Sequence, residues 1–90
     1  GPENIAIRRD IFVAASAGEA DALKKQIASR GYRGFNPEAL VIGDAESVAR
    51  QFDELGSLGY TDVIVRNLHP DYQHAILSTE RLAQVIEILS

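Results

Sequence analysis

The residues best suited to chemistry lie directly after the clearest strand pattern, in the stretch Arg66-Asn67-Leu68-His69. A guanidinium group matches the geometry of phosphate and carboxylate, so Arg66 is a candidate for holding an anion. The imidazole of His69 suits proton transfer near neutral pH. Arg66, Asn67 and His69 are therefore the candidate binding site of the chain. A structural interpretation stays open and is favoured, in which Arg66 pairs with a carboxylate and His69 caps a surface loop.

Other polar residues give weaker indications of a site. His69, Asp71 and His74 are close in sequence, but their spacing matches no standard ligand motif, so we expect no metal site. Gly34 lies in a loop between two large residues and is compatible with an anion-binding nest, although an ordinary loop glycine is the favoured interpretation. The sequence contains no recognisable Ser-His-Asp arrangement, P-loop or dinucleotide fingerprint. Catalytic residues therefore stay unassigned.

Three predicted strands would position the candidate site residues. They cover residues 5–15, 39–42 and 61–67. The first and third contain continuous runs of β-branched and aromatic residues, which are typical of strands buried on both faces in parallel sheets. Arg8, Arg9 and Asp10 lie in the first strand, where we expect them to pair across the sheet.

Three helical patterns alternate with the strands. The first helix is predicted to follow Ser16, which forms a capping box with Glu19, and to stop at Gly31. The second is predicted from the cap Asp44 to Gly59. The third covers 72–89, and a break into two helices at Ser78 or Thr79 stays open because both residue types favour helix starts.

This alternation of strands and helices implies right-handed crossovers and a parallel sheet. We predict an α/β fold with two or three parallel strands and three or four helices. So small a sheet leaves unpaired backbone at its edges, and we therefore expect the unit to need a partner surface.

Length and composition limit the class of protein. The 90 residues make one small domain, and the net charge of -4 argues against a nucleic-acid partner. The chain lacks cysteine, which excludes disulfides and thiolate chemistry. No apolar run approaches the roughly 20 residues of a membrane-spanning helix, and no signal-peptide pattern is present. We expect a cytoplasmic protein without a membrane partner.

The first two residues, Gly1 and Pro2, are typical of the remnant that a tag-removing protease leaves, so we exclude them from the fold. Residues 3–90 are then a single α/β unit. The chain also lacks methionine, and we expect it to be a fragment of a longer natural protein.

Two motifs in the second half of the chain are specific enough to compare with a known family. One is the helix start Val41-Ile42-Gly43-Asp44-Ala45-Glu46-Ser47-Val48-Ala49, and the other is the strand Gly59-Tyr60-Thr61-Asp62-Val63-Ile64-Val65-Arg66. Their order and spacing resemble the C-terminal part of the luciferase-like monooxygenase family. That family often has proline where this chain has Ala45, a mild departure because both residues suit the first helical turn. The opening strand and the last helix extend the resemblance over nearly the whole chain.

The resemblance implies a (β/α)₈ barrel whose members use reduced flavin mononucleotide (FMN) or a deazaflavin to oxidise small substrates. A full barrel needs roughly 250 residues, so the chain would be a partial barrel made of its last βα units. We expect the isolated chain to be inactive and to bind no cofactor, with small-molecule substrates confined to the intact parent oxidoreductase. We expect its partners to be copies of itself, in a C₂ homodimer that covers either the exposed sheet edge or the apolar helix faces.

The resemblance also suggests roles for particular side chains in the parent. Arg66 would contact a flavin phosphate, and Tyr32, Phe35 and Tyr72 could stack on the isoalloxazine ring, although packing against helices is the favoured use of these aromatic residues. Two alternatives stay open. The chain could be a stand-alone interaction or regulatory module without catalysis, or a small ligand-binding domain that uses the loop after the third strand.

Overall fold

The computed structural model describes residues 3–31 and 36–90. Its elements in chain order are β1 (Ala6–Ala14), α1 (Ala17–Ser29), a short 3₁₀ turn (Pro37–Ala39), β2 (Leu40–Asp44), α2 (Ala45–Ser57), β3 (Asp62–Asn67) and α3 (Tyr72–Leu89). All the predicted strands and helices are present, with ends close to those expected. Tyr32, Gly34 and Phe35, for which the sequence suggested ligand contacts, lie outside the described residues.

The three strands form one parallel sheet in the order β2-β1-β3. Ile11, in the central strand, lies beside Val41 on one side and Asn67 on the other. The predicted class, an α/β unit of two or three parallel strands with three or four helices, is confirmed, and the structure has three of each. The strand order is nevertheless that of an open sheet. Successive strands are direct neighbours in a (β/α)₈ barrel, whereas β1 here separates β2 from β3.

The helices lie on both faces of the sheet. α1 leads from the central strand to β2 on one side, and α2 then leads back across β1 to β3 on the other side. Because crossovers between parallel strands are right-handed, this reversal of direction places the second helix on the opposite face. α3 packs beside α2 on that face. The point of reversal lies between β1 and β3.

Each face has its own apolar core. The core on the α1 side consists of Phe12, Ala14, Ala20, Leu23, Ile27 and Ile42. The core on the side of α2 and α3 consists of Ile11, Val13, Val41, Val48, Ala49 and Val85. Successive residues of β1 thus enter opposite cores. This alternation explains why the central strand needs a continuous apolar run rather than an alternating one.

Gly43 in β2 lies close against Ser47 in the first turn of α2. A Cβ atom at this position would lie 2.6 Å from Ser47 Oγ, so a side chain here would force a shift. Asp44, the next residue, caps α2 by accepting a hydrogen bond from the Ser47 N–H at 2.9 Å. Gly43 and Asp44, two residues of the quoted helix-start motif, therefore have structural uses in this chain.

The capping box predicted at α1 is only half present. Ser16 Oγ accepts the N–H of Glu19 at 3.1 Å, as expected. The Glu19 carboxylate accepts the backbone N–H of Ala15 at 3.2 Å, in place of the Ser16 N–H that a capping box would use. The carboxylate therefore stabilises the exit of β1 as well as the start of the helix.

The prediction of a possible break in the third helix at Ser78 or Thr79 is wrong, because α3 is continuous from Tyr72 to Leu89. Thr79 lies inside the helix, where its hydroxyl donates a hydrogen bond to the carbonyl of Ala75, one turn earlier, instead of capping a new helix. Ser78 is fully buried and points at the sheet.

Candidate functional site

The carboxyl end of β1 extends beyond the end of β3. Asn67, the last residue of β3, lies beside Ile11, and the N–H of Leu68 donates to the Ile11 carbonyl at 2.8 Å. Val13, two residues further along β1, directs its backbone to the same side, where β3 has ended. Val13 is fully buried, so its N–H and C=O require partners from elsewhere.

Two side chains of α3 supply those partners. Ser78 Oγ accepts the Val13 N–H at 2.8 Å, and Arg81 Nη1 donates to the Val13 carbonyl at 3.1 Å. Residues three apart lie on one face of a helix, so both side chains reach the same strand residue. The helix thereby replaces the strand neighbour that Val13 lacks.

The same two side chains connect to the surrounding elements. Ser78 donates its hydroxyl hydrogen bond to Asn67 Oδ1 at 2.6 Å, which links α3 to the end of β3. Arg81 forms an ion pair with the Glu19 carboxylate at 3.3 Å, which links α3 to α1. We call Glu19, Asn67, Ser78 and Arg81 the carboxyl-end cluster. No buried side-chain nitrogen or oxygen in the described parts of the chain lacks a hydrogen-bond partner.

His69 lies beside this cluster, packed between two rings. Its centroid is 4.9 Å from that of Phe12 and 4.5 Å from that of His74, with which it is stacked. Its Nδ1 accepts the N–H of Asp71 at 2.9 Å, so the ring proton of the neutral form is on Nε2. Partial burial, followed by the charge of His74, lowers the pKa of His69 below its ordinary value. The structure therefore favours the neutral imidazole.

Arg66 has a different environment from the other two predicted site residues. Its Nε and Nη2 donate to the two carboxylate oxygens of Asp10 at 2.9 and 3.0 Å, in a bidentate pair. These hydrogen bonds raise the pKa of Arg66 above its usual value. The two residues are neighbours in the sheet register, as the predicted pairing across the sheet required.

The structure thus separates the residues that the sequence grouped together. Side chains alternate along a strand, so Arg66 and Asn67 point to opposite faces of the sheet. Asn67 is held by Ser78, and the His69 ring contacts Phe12 and His74. Tyr72, proposed for stacking on a flavin, is 74% exposed at the start of α3. The favoured interpretation of Arg66, a structural ion pair, agrees with this geometry.

Open α/β sheets usually bind ligands outside the carboxyl ends of their strands, at the point where the strand order reverses. In this chain the reversal lies between β1 and β3, and the carboxyl-end cluster occupies that place. The polar side chains of this cluster are already hydrogen-bonded or ion-paired within the chain. Ser78 and Arg81 were missed from the sequence, although their spacing of three residues on one helix was a usable signal.

A second candidate surface is the outer edge of β3. No strand in the described part of the chain pairs with this edge. Ile64, at its centre, is 53% exposed on the α1 side of the sheet, whereas Val65 packs against the core of the other face. The edge therefore combines unpaired backbone groups with an exposed apolar side chain, which is the usual composition of a pairing surface.

Comparison with known proteins gives no family assignment. No protein-family model matches the chain, and no curated protein matches it. Among the described residues, no three histidine, aspartate or glutamate side chains come together as a metal site requires. No helix formed by those residues combines the length and apolar character needed to cross a membrane.

Replacement of Ser78 tests the carboxyl-end cluster. Ser78→Ala leaves the buried Val13 N–H without an acceptor, and we expect it to lower the free energy of unfolding by about 1–3 kcal/mol. Urea unfolding followed by circular dichroism measures this change. Thr79→Ala is the matched control, because Thr79 is exposed and bonds only within its own helix. We expect the control to change stability by less than about 0.5 kcal/mol. Equal effects of the two variants would contradict the assigned role of Ser78.

Proposed function

We propose that this chain is an association module, an α/β unit that works by pairing its β3 edge with another copy of itself. The observation that carries this proposal is the unpaired outer edge of β3 with Ile64 half exposed at its centre. The carboxyl-end cluster also supports this proposal, because its side chains lie at the usual ligand position and are already bonded within the chain.

The composition of β3 favours the addition of another strand at its outer edge. Protected edge strands usually carry lysine, proline or a bulge that prevents another strand from adding to the sheet. β3 has none of these at its centre, where Val63, Ile64 and Val65 follow one another. Its charged residues, Asp62 and Arg66, flank that apolar centre.

A second copy is the partner that this edge suits. Two copies related by a two-fold axis pair their β3 strands antiparallel, and this contact closes after two chains. The product is a continuous sheet of six strands in which neither copy of β3 remains an edge. The apolar centre of each strand then lies against that of the other.

A charge at the centre of β3 tests this proposal. We expect Ile64→Lys to abolish association, because the two-fold contact would bring two ammonium groups together within an apolar pair. Sedimentation velocity over a range of protein concentrations measures the change. Leu58→Lys is the matched control, since Leu58 is 75% exposed in the turn after α2 and outside the strand. A wild-type chain that stays monomeric at high concentration would remove the proposal.

The resemblance to the luciferase-like family gives a second proposal, that the chain comes from a flavin- or deazaflavin-dependent oxidoreductase. The observation that favours it is the position of the quoted motifs. Gly43 and Asp44 occupy the strand-to-helix junction at α2, and Gly59 precedes β3. The strand order of the chain differs from that of a barrel, so the proposal concerns the origin of the segment rather than its present assembly.

Titration with flavin tests whether any of the parent chemistry remains. The bidentate pair with Asp10 engages Arg66, and we therefore expect neither oxidised nor reduced FMN to saturate the chain. Flavin fluorescence at increasing protein concentration measures binding. Saturable binding that Arg66→Ala removes and Arg8→Ala leaves unchanged would contradict this expectation and make Arg66 a ligand-binding residue.

A further inference from the structure

We infer that two copies pair through antiparallel β3 strands in one register, with Ile64 of each copy opposite Ile64 of the other. This inference rests on the proposed association and adds the geometry of the contact. It follows from the direction of the backbone groups in β3 and from the positions of its two charged residues.

The backbone directions limit which residues can form hydrogen bonds across the contact. The N–H groups of Asp62 and Leu68 both donate to carbonyls of the first strand segment, those of Ile5 and Ile11. Backbone groups alternate in direction along a strand, so residues 62, 64, 66 and 68 face β1. Val63, Val65 and Asn67 therefore direct their N–H and C=O groups to the free edge.

An antiparallel pair requires outward-facing residues to lie opposite each other. Only three two-fold registers meet this requirement near the centre of β3. They place Val63 opposite Val63, Ile64 opposite Ile64, or Val65 opposite Val65. In the second register Val63 of each copy exchanges hydrogen bonds with Val65 of the other, so both outward-facing valines are used.

The charges select the register centred on Ile64. In that register Asp62 of each copy lies opposite Arg66 of the other, on the same face of the sheet as Ile64. The register centred on Val63 places Asp62 opposite Ile64, and the one centred on Val65 places Arg66 opposite Ile64. Opposite charges directly across a strand pair are stabilising, whereas the other two registers leave each charge beside an apolar side chain.

The existing contacts of these residues are compatible with the cross-strand pair. Arg66 uses Nε and Nη2 for Asp10, which leaves Nη1 as a donor for a second carboxylate. Asp62 accepts the hydroxyl of Thr61 through Oδ2 at 2.9 Å, which leaves Oδ1 for Arg66 of the second copy. Each Arg66 would then bridge Asp10 of its own chain and Asp62 of the other.

Cysteine cross-linking tests the register, because these 90 residues include no cysteine and one substitution introduces a single thiol. The inferred register makes Ile64 a non-hydrogen-bonded pair with Cα atoms about 4.5 Å apart, within the range of a disulfide. We expect Ile64→Cys to give the highest yield of disulfide dimer on mild oxidation. Val63→Cys and Val65→Cys report the other two registers, and Leu58→Cys is the control outside the strand.

The charge pair gives a second measurement that does not depend on oxidation. We expect Asp62→Lys to weaken association roughly tenfold, because it replaces two symmetric attractions by two repulsions. The effect should decrease at high salt. Glu3→Lys, a charge change at an exposed position before β1, is the control and should leave the dissociation constant within about twofold.

The outcomes separate the register from the association itself. A dimeric wild-type chain with the highest yield from Ile64→Cys supports both. A dimeric wild-type chain that cross-links best through Val63→Cys or Val65→Cys overturns the register and keeps the association. A dimeric chain in which none of the three strand cysteines exceeds Leu58→Cys overturns the β3 contact. A monomeric wild-type chain overturns both inferences.

Discussion

The structure depends on how the buried end of β1 is completed. Val13 lies in the core beyond the end of β3, and its N–H and C=O would be unsatisfied without Ser78 and Arg81 of α3. A buried, unpaired backbone group is costly, so the position of α3 is tied to the end of the central strand. The Arg81–Glu19 ion pair then connects α3 to α1, across the carboxyl end of the sheet. One short stretch of strand thus fixes the helices on both faces.

The side chains that complete Val13 also affect which surface of the chain is available for binding. The carboxyl ends of β1 and β3, which form the ligand site in many open α/β sheets, are occupied here by side chains bonded to one another. The outer edge of β3 has the opposite character, with backbone groups that no strand of residues 3–31 or 36–90 pairs and with a half-exposed Ile64. We therefore place the proposed activity of the chain at the sheet edge rather than at the strand ends.

Sequence patterns predicted the elements well because each has a local cause. The apolar run in β1 and the caps Ser16 and Asp44 are read from neighbouring residues. The strand order could not be predicted, because periodicity does not say which strands become neighbours. The Arg66–Asp10 pair depends on that order and on the register. Ser78 was predicted as a possible helix start because serine favours caps. Its actual partner, the Val13 N–H, is distant in the sequence, so no local pattern indicates this hydrogen bond.

Amide hydrogen exchange distinguishes a β3 edge that pairs with a second copy from one that stays unpaired. The N–H groups of Asp62 and Leu68 donate to carbonyls on the β1 side. Because backbone groups alternate in direction along a strand, the amides of Ile64 and Arg66 also face β1, and those of Val63 and Val65 face the outer edge. We predict that protection of the Val63 and Val65 amides rises strongly with protein concentration, whereas protection of the Ile64 and Arg66 amides is present already in the dilute chain. Rapid exchange of Val63 and Val65 at every concentration would contradict this prediction, since the edge would then remain unpaired.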